Sequence, residues 1–144
     1  MNEFEDNLLK RAETNLAAAK ILHQYRTGDD AELNIIAYHL QQSVELSIKH
    51  ILQENGIDYP RTHAIEQLIQ TANANNVDLH LTDYIDGHSE MFSTWESQTR
   101  YVLNFFVEDR KINAALDEVE KYIDLIKEIE PMNVELDYSD DLEL

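Results

Sequence analysis

The sequence predicts an all-α protein, an up-and-down bundle of four to five helices. Three observations predict it. Only 3 glycines and 2 prolines occur in 144 residues, too few for the turns of a strand-rich chain. Apolar residues recur at steps of three and four along most of the length. The length itself suits a single domain with one core, and 43% hydrophobic with 28% charged residues is ordinary for a globular chain.

The first helix is expected from about Glu3 to Arg26, with Asn2 as N-cap, Glu5 three residues on, and Gly28 as the stop. Leu8, Ala12, Leu16, Ala19 and Leu22 form its apolar stripe, and Ala17-Ala18-Ala19 invites close approach of a neighbour. The second is expected from about Asp30 to Glu54, capped by Asp29 or Asp30 and ended by Asn55-Gly56. Its core stripe is Ile36, Leu40, Val44, Ile48 and Ile51 or Leu52. After the loop from Ile57 to Arg61, Thr62 caps a shorter helix that turns Ile65, Leu68, Ile69 and Ala72 inward. Residues Asn73 to Asn76 read as a turn.

A fourth helix is expected from about Thr82 to Thr99, weakened locally by Gly87. His88 falls on its apolar stripe with Phe92 and Trp95, as a core histidine beside core aromatics. The segment Val102 to Val107 is apolar on every side, as a buried connection or a subunit interface. The last helix is expected from about Glu108 to Glu130, with Ile112, Leu116, Val119, Ile123 and Ile126 inward and Pro131 as its end. The division is therefore a bundle over 1–130 and a mobile acidic tail over 131–144.

Charge narrows the function. The net charge is −18, from 29 acids against 11 bases. Setting aside seven acids in 128–144 leaves 22 acids and 11 bases, so the body is acidic on its own. Sequence-independent nucleic-acid binding is disfavoured by that repulsion. Cysteine is absent, which removes disulfides and thiolate chemistry. The first residues lack a signal-peptide pattern, and no apolar run approaches the roughly 20 residues that span a bilayer. A cytoplasmic protein without a membrane partner is expected.

The sequence carries little familiar chemistry. Three scattered glycines make no phosphate-binding loop. None of the 6 histidines has a glutamate three residues before it, as a carboxylate-bridged di-iron bundle would need. No cofactor, metal or catalytic residue is assigned. The ordered feature is a polar stripe on the second helix, where Tyr38, Gln42, Glu45 and Lys49 follow at steps of four, three and four. His63, just after the next loop, and Arg100-Tyr101, after the fourth helix, complete the candidate site. Arg100 is expected to pair with Glu45, because a buried guanidinium needs a carboxylate.

These residues carry a resemblance. The run from Tyr38 to Lys49, then Gly56, Pro60 and the start His63-Ala64-Ile65-Glu66-Gln67-Leu68, resembles the HEPN domain (higher eukaryotes and prokaryotes nucleotide-binding). Arg100-Tyr101 and the first helix fit as well, so the likeness covers about residues 5 to 128. The resemblance implies a helical bundle that pairs into a homodimer. It also implies a setting in toxin–antitoxin or other defence systems, often beside a nucleotidyltransferase, and binding of a nucleotide-like ligand. Ribonuclease members carry an arginine followed four to six residues later by histidine, supplied across two subunits. Here no histidine occurs anywhere after His88. The expectation is therefore a non-catalytic binding or assembly member, with the stripe as a polar dimer seam in preference to a ligand cleft. The alternative is a divergent ribonuclease that uses His63 or His88 and no metal.

Overall fold

The computed structural model describes the backbone of residues 7–101 and 105–143, and the side chains of residues 7–99 and 105–130. Among the described residues there are six helices and no strand: α1 (Leu8–Gln24), α2 (Asp30–Glu54), α3 (Ile65–Ala74), α4 (Asp83–Gly87), α5 (Ser89–Tyr101) and α6 (Asp109–Glu143). The all-α bundle expected from the sequence is the fold observed.

The centre of the bundle is α2. A helix that is buried on nearly every side must be surrounded, and α2 packs against α1, α3, α5 and α6. Its stripe of Ile36, Leu40, Val44, Ile48, Ile51 and Leu52 lies in the core. Both ends fall where the sequence places them. At the start, the Asp29 carboxylate accepts from the Ala31 amide at 3.0 Å, and Glu32 reaches back to the Asp29 amide at 3.3 Å. This is a capping box. Glu32 also accepts from the Thr27 amide at 2.8 Å and its hydroxyl at 2.9 Å, which ties the α1–α2 turn. Those bonds, the Thr27 amide foremost, hold the Glu32 carboxyl below the usual carboxylate range.

Small side chains let α1 lie close to α2. Ala12, Ala19 and Ala37 are buried, and the Ser43 hydroxyl donates to the Ala12 carbonyl at 2.8 Å. A second link is His39 on Asn15 at 2.8 Å. The Asn15 amide nitrogen donates to the Arg11 carbonyl at 3.0 Å, so its oxygen faces His39, whose Nδ1 must carry the proton. Partial burial pushes the His39 pKa below its ordinary 6.5. A base depressed by folding is protonated first in the unfolded chain. Its contribution is therefore full above pH 6.5 and is lost as the pH falls below that value. Urea unfolding from pH 7.5 down to about pH 5.5 should show stability falling less steeply in His39→Gln than in the parent. Equal slopes would contradict this.

Several boundaries differ from expectation. The first helix starts at Leu8, because the Asn7 side chain caps the Lys10 amide at 2.8 Å; the expected cap at Asn2 lies outside the described residues. It ends at Gln24, short of Arg26. Thr62 does not cap α3. Its hydroxyl accepts from the Ala64 amide at 3.0 Å, and the Ile65 amide is taken by Ser93 of α5 at 2.9 Å. Ser93 in turn donates to Glu66, so α3 is started by a residue of another helix. The fourth predicted helix is two, α4 and α5, broken at His88 beside the weak Gly87. His88 is exposed rather than core, with its ring stacked on Tyr84 at 4.0 Å between centroids. In α6 the helical path continues beyond Pro131 to Glu143, although that proline has no N–H to give to the preceding turn. The mobile-tail expectation for 131–144 concerns residues whose side chains are outside those described.

The rest of the core is regular. Phe92 and Trp95 of α5 and Ile112, Ala115, Val119, Tyr122, Ile123 and Ile126 of α6 all belong to the one buried core. Tyr122 is fully buried and its hydroxyl donates to the Leu79 carbonyl at 2.8 Å. Burial pushes that phenol far up. The expected apolar run from Val102 to Val107 is described only from Phe105. Val107 is buried and Phe106 is exposed. Asn34 of α2 clasps this stretch, donating to the Phe105 carbonyl at 2.6 Å and accepting from the Val107 amide at 3.1 Å.

Candidate functional site

The site is built around Glu45, a carboxylate only 2% exposed in the middle of α2. Burying an unpaired carboxylate is costly, so its oxygens must be satisfied from inside the chain. One turn before it, the Gln41 amide donates to Oε1 at 2.7 Å. One turn after it, the Lys49 ammonium donates to Oε2 at 2.9 Å. Across the following loop, His63 Nδ1 lies 3.1 Å from both oxygens. The steps of four on α2 place Gln41, Glu45 and Lys49 one above another.

Further contacts fix these partners. Gln42 donates its amide to the Gln41 oxygen at 2.8 Å. Lys49 sits over the ring of Tyr59 at 5.4 Å from its centroid, a cation–π contact from the loop. The loop is held by the α2 terminus, where Gly56 takes a positive φ of 71° and Ile57 donates back to the Leu52 carbonyl at 2.9 Å. His63 is thereby delivered to Glu45 with 58% of its side chain still exposed. A carboxylate on Nδ1 selects the tautomer with the proton on that nitrogen and leaves Nε2 as the lone-pair atom.

Of the residues singled out in the sequence, Gln42, Glu45, Lys49 and His63 come together. Tyr38 lies on the same face of α2 and is half-buried. Arg100 and Tyr101 lie within the last residues of α5, but their side chains, and with them the expected Arg100–Glu45 pair, lie outside the described residues. Two participants were missed. Gln41 is legible as a step of four before Glu45. Tyr59 carried no signal, because its contact with Lys49 exists only once the loop folds back.

The family model described as the HEPN domain matches residues 6–129. No curated protein and no solved structure matches the chain. No helix among the described residues is long and apolar enough to cross a membrane. The match spans every helix from α1 through most of α6, including the Glu45 cluster, and the chain belongs to the HEPN domain family.

Proposed function

We propose that this HEPN-domain protein is a non-catalytic binding and assembly protein: it forms a homodimer and joins a nucleotidyltransferase or another toxin–antitoxin or defence component. The supporting observation is the closure of the polar cluster. Glu45 is saturated by Gln41, Lys49 and His63, so its charge is balanced within the chain. What remains at the surface is a half-buried stripe of Tyr38, Gln42 and Lys49 on α2. Such a stripe suits a protein face better than a phosphate, which the net charge of −18 would also repel. Ile35 extends the stripe by one step of three and is 50% exposed. Phe106, 53% exposed, sits between the two residues clasped by Asn34 and adds apolar surface at that end.

The test is capture of the tagged chain from its native host, with bound proteins and nucleotides identified by mass spectrometry. A stoichiometric nucleotidyltransferase or defence protein supports assembly. RNA or nucleotide recovered alone contradicts it.

A specific observation favours one alternative, a divergent ribonuclease. The buried Glu45 orients an exposed imidazole and presents its basic nitrogen, as a general base requires. RNA cleavage by the purified protein, lost in His63→Ala and kept in His88→Ala, would establish that reading. No cleavage by the parent would retire it.

A further inference from the structure

A second constellation lies at the C-terminal end of α2, formed by residues that the Glu45 cluster does not use. His50 and Glu54 are one turn apart on α2, and Glu130 faces them from α6. One ligand atom from each lies within 4.8 Å of the other two. The His50 ring is only 7% exposed and is hydrogen-bonded through Nε2 to Glu130, while Glu54 Oε1 is 3.9 Å from that same nitrogen. Glu54 itself is 64% exposed.

Beside the three residues is a cavity of about 290 Å³, lined by Glu54 and Glu130 together with Asn55, Asp78 and His80. His80 is in the left-handed region at φ 54° and is 3.5 Å from the Asp78 carboxylate. The last turn of α2 holds no basic residue, so Glu54 has no cation in that turn.

We propose that His50, Glu54 and Glu130 form a binding site for one divalent transition-metal ion of the zinc class, which clamps the end of α2 to α6. Imidazole with two carboxylates is a borderline donor set suited to that class and poorly suited to magnesium or calcium, which take oxygen alone. Ligands about 2 Å from a tetrahedral ion stand about 3.3 Å apart. The His50–Glu130 hydrogen bond would open to that spacing and Glu54 would close to it. A fourth position would be left to water. The site does not follow the Glu-x-x-His order, because His50 comes before its glutamate, at a step of four, and the third ligand lies on another helix.

The experiment is calorimetric titration of the full chain with Zn²⁺, followed by thermal unfolding with and without it. The expected result is saturable binding near one ion per chain and a higher Tm with zinc. Glu54→Gln and Glu130→Gln should each weaken binding by about tenfold or more. Asp117→Asn, which removes the same charge outside the cluster, should leave it unchanged. Glu54 is exposed, so Glu54→Gln remains folded even if a His50 variant does not. Absence of saturable binding would overturn the proposal. So would equal losses in Asp117→Asn and Glu54→Gln, which would mean general attraction to an acidic surface.

Discussion

Phe92→Ala should lower unfolding stability by about 4 kcal/mol. The side chain is fully buried on α5. Its ring meets Trp95 edge-on at 5.4 Å and Tyr84 at 6.4 Å between centroids. Removing it costs the transfer of the ring from water and leaves a void, because helices pinned from several sides cannot collapse into it. Here α5 is anchored to α2 and α3, and α4 packs on both α5 and α6. Domains of this size are stable by only about 5–15 kcal/mol, so the variant should unfold at far lower urea. Phe106→Ala removes the same group from a site 53% exposed. It should change stability by no more than about 0.5 kcal/mol. Chemical denaturation of the two variants checks the pair. A loss under about 1 kcal/mol in Phe92→Ala would contradict the packing described.

Glu45→Ala should cost about 3 kcal/mol, toward the lower end of the penalty for breaking a buried ion pair. The alanine leaves the Gln41 amide without its 2.7 Å acceptor and the Lys49 ammonium without its 2.9 Å partner. Lys49 keeps the Tyr59 ring and some access to water, which limits the cost. His63 is exposed and can turn to solvent. The double variant Glu45→Leu with Lys49→Met removes both charges together and should recover most of the loss, because no charge is then left buried alone. Urea titrations of the single and double variants measure the difference. Equal destabilisation in both would show that the carboxylate acts through shape and not through its ion pair.

The bundle was legible because helical periodicity is local. The stripe of Ile36, Leu40, Val44, Ile48 and Leu52 and the caps at Asp29 and Gly56 all sit within one segment, and α2 has the bounds that the sequence predicts. Features set by distant partners were not legible. Ser93 starts α3 from 28 residues away, and nothing near Thr62 announces it. The break falls at His88, the C-cap of α4, directly after Gly87, the weak point of the predicted helix. Pro131 fails to end α6 although its local preference is clear. At the candidate site, the step of four put Glu45 and Lys49 on one face, but the partner expected for Glu45 was Arg100, and the Lys49 ion pair came only with the structure. The approach of His63 followed from a loop geometry that sequence spacing does not encode.

The most direct test of the assembly reading is sedimentation equilibrium of the full chain across micromolar concentrations, alongside Ile35→Asp. Ile35 is half-exposed, so an aspartate there should leave the helical content unchanged by circular dichroism while placing a charge in the seam. Assembly through the α2 stripe predicts a dimer for the parent and a shift toward monomer for the variant. A parent that is monomeric throughout, or a dimer unaffected by Ile35→Asp, would contradict it.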